Sequence, residues 1–150
     1  MRKQFMTDLM NTKYFGIKEL VSKKIYDIYG DMSIYFLDET ALKVLDNIRE
    51  ILGVPLVCNN WARGGNRQYC GFREQGCGVG TPSGFHYKGM AFDLISNQMS
   101  AKEMREKLEK NQHKLIHPIR VEKWEGNKEI SWLHFDLGNT KGRKIYFFRA

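Results

Sequence analysis

The sequence predicts an α+β fold, a small antiparallel sheet flanked by helices. Three observations predict it. Two apolar stripes at helical spacing occupy the first third of the chain, strand-like alternation is concentrated after residue 89, and the late strands are joined by short connections. A chain of 150 residues is long enough to bury a real core, so 1–150 reads as a single domain with its core over about 15–140.

Taken in order, "IKELVSKKIYDIYG" carries Ile17, Leu20, Val21, Ile25 and Ile28 on one helical face, and Gly30 can end that helix. A second helix is predicted over roughly Leu37 to Leu52. Its stripe is Leu37, Ala41, Val44, Leu45, Ile48 and Leu52, and Gly53 stops it. "VPLVCNN" reads as a short strand. A long segment rich in glycine and polar residues follows, "WARGGNRQYCGFREQGCGVGTPSG"; such a loop inside a compact domain points to function. "SAKEMREKLEKNQHKL" is a third helix, with Ser100 and Glu103 spaced as a capping box. Strands are expected near 118–123 and 130–137, and "KIYFF" adds one at the end.

The chemistry lies in two of the strands. Side chains alternate between the faces of a strand. In "GMAFDL", Met90, Phe92 and Leu94 make a core face, while Gly89, Ala91 and Asp93 leave open space beside a carboxylate. His86 stands just before it. In "ISWLHFDL", Ser131, Leu133, Phe135 and Leu137 share one face, and Ile130, Trp132, His134 and Asp136 share the other. If the two strands pair, His86, Asp93 and His134 converge. Two imidazoles and a carboxylate are a ligand set for Zn²⁺ that leaves a fourth position open.

His86-x-x-Gly89-x-Ala91-x-Asp93, followed about forty residues later by Trp132-x-His134-x-Asp136, resembles the zinc peptidases of family M15. These are D-alanyl-D-alanine carboxypeptidases, dipeptidases and phage endolysins that share a fold with the hedgehog signalling domain. "NNWARGG" followed by "GFR" is similar to small phage-encoded members, and the resemblance spans roughly residues 15 to 140. It implies a hedgehog/DD-peptidase-like fold, zinc held by His86, Asp93 and His134, and hydrolysis of peptidoglycan stem or cross-bridge peptides. The family motif opens on a serine; Gly84 stands at that position here, with Ser83 one residue early.

The chain departs from the family at one catalytic position. The acid expected three residues before the last histidine is Ser131, which cannot accept a proton as a carboxylate does. Asp136 is the expected substitute because it shares the metal-facing side with His134, with Glu129 and Glu122 in reserve. An orienting role for Asp136 stands as the alternative. The family also places an arginine to hold the substrate carboxylate, a task suited to a guanidinium. Arg63, Arg67 and Arg73 compete for it, with Arg73 preferred, and Trp132 and Trp61 are candidates to line the cleft.

Other features point elsewhere or nowhere. His113 and His117 stand four apart, but no glutamate follows His113, and Pro118 disfavours helix at His117. "GCGVG" lacks the Gly-Lys-Ser/Thr of a phosphate loop. Three cysteines, Cys58, Cys70 and Cys77, form no Cys-x-x-Cys pair and read as reduced thiols, with a Cys70–Cys77 bridge across the loop as the alternative. The net charge of +7 suits an anionic partner such as a cell wall. Nucleic acid is set aside because it does not explain two His/Asp strand faces. No apolar run is long enough to span a membrane. "MRKQFMTDLMNTKYFG" lacks the apolar stretch of a signal peptide. The expectation is a monomeric enzyme made in the cytoplasm that acts on the wall after release or as part of a virion. Its alternative is an inactive domain of the same fold that binds zinc and wall peptide.

Overall fold

A computed structural model describes residues 12–150. The expectation about a leader falls mainly on residues 1–11, outside the described residues. The elements are helices α1 (Lys23–Tyr29), α2 (Glu39–Leu52) and α3 (Ala101–Lys110), and strands β1 (Ala91–Leu94), β2 (Ile119–Glu125), β3 (Lys128–Asp136) and β4 (Ile145–Arg149). The fold is mixed α+β with one four-stranded sheet in the order β1-β3-β2-β4. Among the described residues no helix is long and apolar enough to cross a membrane.

The second helix forms where its pattern places it; the third ends at Lys110, short of the predicted Leu115, and Gln112–Lys114 is a separate 3₁₀ turn. Asp38 caps α2 by accepting from the Ala41 amide, and Gly53 ends it in a left-handed conformation. All six residues of its predicted stripe are buried. Ser100 and Glu103 close the predicted capping box on α3.

The first helix is shorter than its pattern predicts. Ile17–Glu19 is a separate 3₁₀ turn, and α1 starts only after Ser22, whose hydroxyl accepts from the Ile25 amide. The break has a physical cause. The carbonyl of Leu20 is taken by the Phe72 amide, and that of Val21 by Asn59 Nδ2 and Trp61 Nε1. Neither is free to continue a helical ladder. Ile28, expected on the core stripe, is exposed.

The sheet is mixed where a largely antiparallel one was expected. β1 and β2 both run antiparallel to β3, and Gly126 and Asn127 turn the β2–β3 hairpin. β4 returns parallel to β2. "VPLVCNN" makes a single bridge, Val57 to Ile95, rather than a strand. Its neighbours are engaged elsewhere: Cys58 O accepts from Arg67 Nε, and the Asn59 amide donates to Glu19 O.

Alternation divides the sheet into two faces. Phe92, Leu94, Leu133, Phe135, Ile119 and Val121 pack in one cluster with the stripe of α2 and with Ala101, Met104 and Leu108 of α3. Each of the large side chains contributes about 1.5–3 kcal/mol on burial. The opposite face carries the polar residues of the same strands. Gly89 allows the turn into β1. Its φ is +67°, and a Cβ there would sit 2.1 Å from the backbone oxygen of Phe36.

Candidate metal centre

Register sets the site. Asp93 on β1 pairs with His134 on β3, and His134 pairs with Glu122 on β2. Ala91 pairs with Asp136, and Asp136 with Arg120. Directly paired residues share a face, so Asp93, His134, Asp136, Arg120 and Glu122 all stand on the side away from the helices. His86 reaches the same place from the 3₁₀ turn Phe85–Lys88 that leads into β1.

His86, Asp93 and His134 converge as predicted, each offering one ligand atom within 4.8 Å of the others. His86 Nε2 lies 3.3 Å from Asp93 Oδ1, and His134 Nδ1 lies 2.8 Å from the same oxygen. Ligand atoms of a tetrahedral zinc with bonds of about 2.0–2.1 Å stand ~3.3 Å apart. The His86–Asp93 pair already matches that spacing; the His134–Asp93 pair must open slightly. All three residues are buried or nearly so.

The far nitrogen of each ring is held. His86 Nδ1 donates to the carbonyl of Gly71 at 2.9 Å. A carbonyl only accepts, so Nδ1 carries a proton and Nε2 is the nitrogen turned to the cluster. His134 Nε2 faces Asp136 Oδ2 at 2.9 Å, which directs Nδ1 to the cluster in the same way. A ring nitrogen fixed by a carbonyl or carboxylate is the usual companion of a metal-bound histidine. The residues present therefore fit a divalent cation held by His86 Nε2, Asp93 Oδ1 and His134 Nδ1.

The electrostatics of the metal-free cluster follow. Burial pushes the Asp93 carboxyl up, but hydrogen bonds from His134 and His86 outweigh it and hold the group well below the usual carboxylate range. Burial pushes the His134 imidazole down, but Asp136 and Asp93 on either side outweigh it and raise it to about 9. Asp136 is likewise held low against burial, by His134 and Arg120. Near neutral pH His134 is a cation between two carboxylates.

The candidates for base separate clearly. Asp136 is occupied: Arg120 Nε and Nη2 donate to its two oxygens at 2.6 and 2.8 Å, the Gly138 amide donates to Oδ1, and His134 takes Oδ2. These contacts tie Asp136 to the His134 ring. Glu129 pairs with Arg105 of α3 at 2.9 Å and is exposed, apart from the cluster. Ser131 does not face the cluster either. Between the pairs Glu122–His134 and Trp124–Glu129, one residue of β2 stands against four of β3. By plain alternation Ser131 falls on the Leu133 and Phe135 face, away from His134, and Ile130 is buried. Ser131 is exposed and lines a cavity beside the start of α3.

Glu122 is the carboxylate left on the site face. It is buried, and no hydrogen bond reaches its carboxylate among the described residues. Burial raises it from the ordinary glutamate value. The signal for it was in the sequence: in "IRVE", Ile119 and Val121 alternate with Arg120 and Glu122, which puts the two charged residues on the face opposite the core.

The arginines also sort. Arg73 Nη2 lies 3.3 Å from Asp93 Oδ2, and its Nε donates to Tyr69 O. The glycine-rich loop thus delivers both Arg73 and the Gly71 carbonyl to the cluster. Arg63 is exposed and reaches Glu19 at 3.5 Å. Arg67 is spent on Cys58 O and Asp93 O. Trp132 is half-buried and gives its carbonyl to Arg105; Trp61 donates to Val21 O. His113 and His117 lie outside the cluster, and the three cysteines are free. No protein-family model, no curated protein and no solved structure matches the chain.

Proposed function

We propose that this chain is a zinc-dependent peptidase of the M15 type, which hydrolyses peptidoglycan stem or cross-bridge peptides in the manner of a D-alanyl-D-alanine carboxypeptidase or a phage endolysin. One observation carries the reading: two imidazoles and a carboxylate present one ligand atom each to a common point, and the far nitrogen of both rings is already fixed. The hedgehog/DD-peptidase-like relationship rests on the sequence motif and on the site that the motif forms.

A divalent cation bound there supplies Lewis-acid polarisation of an amide carbonyl and acidifies a water. The chain's own residues do the rest. Hydrolysis bonds the water oxygen to the carbonyl carbon, breaks the C–N bond and sends a proton to the leaving amine. Glu122, beside His134 with no competing hydrogen bond, takes that proton from water and hands it on. Its burial, which raises its proton affinity, suits a group that must both accept and release a proton. Asp136 holds the His134 ring. Arg73 puts a cation beside Asp93, where the carboxylate of a peptide terminus can pair with it. The net charge of +7 favours approach to an anionic wall.

The test is digestion of purified peptidoglycan by zinc-loaded protein, by chelated protein and by Glu122→Gln, with released peptides read by mass spectrometry. Products from the first alone support the reading. Zinc-loaded, folded protein that yields no product overturns the enzyme and leaves a wall-binding domain.

A further inference from the structure

Arg120 lies outside the ligand set and outside the sequence-predicted site, yet it touches both sides of it. Its Nε and Nη2 form a two-point ion pair with Asp136, the residue that holds His134 Nε2. Its guanidinium also lies between two rings, 5.0 Å from the centre of Phe85 and 4.3 Å from that of Phe148. Phe85 immediately precedes His86 on the same 3₁₀ turn. Phe148 meets the His134 ring edge-on at 5.8 Å. One planar cation therefore braces the loop of one histidine, the aromatic wall of the other, and the carboxylate that orients it.

The packing around Arg120 is tight. A Cβ on Gly138 would lie 2.3 Å from Arg120 Nε, and the Gly138 amide donates to Asp136 Oδ1 at 2.9 Å. Glycine at 138 lets the chain close over the ion pair. An exposed ion pair would contribute little. This one ends on an aspartate side chain that is 2% exposed, where two-point geometry and aromatic faces favour arginine over lysine.

The geometry points to Arg120 as a positioning residue for metal capture: through Asp136 and Phe85 it fixes both histidine rings in the orientation that presents Nδ1 of His134 and Nε2 of His86 to one cation. This rests on the metal-site reading above, and it adds a residue whose removal weakens binding without removing a ligand. Outer partners of metal-bound histidines typically change affinity 10- to 100-fold. Lysine keeps the charge but cannot make the two-point contact or the ring stacking.

The experiment measures zinc affinity by chelator competition for wild type, Arg120→Lys, Arg120→Met, Asp136→Asn and the Arg120→Met/Asp136→Asn double variant, together with the slowly exchanging imidazole N–H of zinc-loaded His134 in ¹H–¹⁵N spectra. Expected are affinity losses of about tenfold for Arg120→Lys and towards 100-fold for Arg120→Met. One ion per chain should be retained, and the His134 Nε2–H signal should be lost or broadened in both. Because the effect runs mainly through Asp136, Arg120→Met should cost less than about threefold more in the Asp136→Asn background. If Arg120→Met does not fold, Arg120→Lys carries the test. Wild type that binds zinc alongside Arg120 variants that match it within about threefold, with the Nε2–H signal intact, overturns the role of Arg120 alone. Wild type that takes up no zinc overturns the metal reading beneath it.

Discussion

The metal site should bind zinc in exchange for a proton, and the structure gives the size of the effect. In the metal-free protein His134 donates Nδ1–H to Asp93 and titrates at about 9. A metal ligand must offer its lone pair, so that proton has to leave. At pH 7 only roughly 1% of His134 is free of it, which costs about 3 kcal/mol relative to pH well above 9. Asp93 is already ionised and adds no such cost. Zinc affinity should therefore rise about tenfold per pH unit from pH 7 towards 9, and flatten beyond. Asp136→Asn removes a carboxylate that raises His134, so the plateau should arrive at lower pH. Chelator competition, corrected for protonation of the chelator, gives the slope. Calorimetry in buffers of different ionisation enthalpy counts the proton, about one per ion from His134 at pH 7. An affinity flat between pH 7 and 9, with no proton released, would mean that His134 gives up no proton to the metal.

Three further outcomes follow from the same geometry. Metal-free protein should be most stable between about pH 4 and 6.5 in denaturant titrations with chelator present. The raised His134 stabilises fully below its unfolded value of 6.5, and loses on the order of 3 kcal/mol as pH rises through about 9; the depressed Asp93 and Asp136 stabilise above 3.8 and lose it as pH falls. A stability that climbs from pH 6.5 to 9 would contradict this. Glu122→Gln should keep zinc affinity within about threefold while lowering kcat by 10²–10⁴ on a soluble stem peptide; unchanged kcat would remove Glu122 as the base. Gly89→Ala should cost more than about 2 kcal/mol, since it forces alanine into a left-handed conformation and against the Phe36 carbonyl. Thermal melts that differ by less than a degree or two would show that the turn tolerates a side chain.

The α+β class and the convergence of His86, Asp93 and His134 were legible in the sequence because both depend on local pattern. Phe92 and Leu94, then Leu133 and Phe135, mark core faces by simple alternation, and Asp93 and His134 fall on the other side by the same count. What it hid depends on register between distant segments. The task of Asp136 cannot be assigned until Arg120, sixteen residues earlier, is known to pair with it. The irregular pairing of β2 with β3, one residue against four, is a register feature that alternation within either strand cannot foresee. The break before α1 follows from carbonyls captured by residues about forty to fifty positions away. The direction of β4 is a tertiary matter that "KIYFF" does not encode locally.

The most direct test is to determine metal content and zinc-edge X-ray absorption on the folded protein and on His86→Ala, Asp93→Ala and His134→Ala. Expected are one zinc per chain in the wild type, ringed by two imidazole nitrogens and a carboxylate oxygen at about 2.0–2.2 Å, and large losses of affinity in each variant. Folded wild type that holds no zinc, or a His134→Ala protein that holds it as tightly, would show that these three side chains do not form a zinc site.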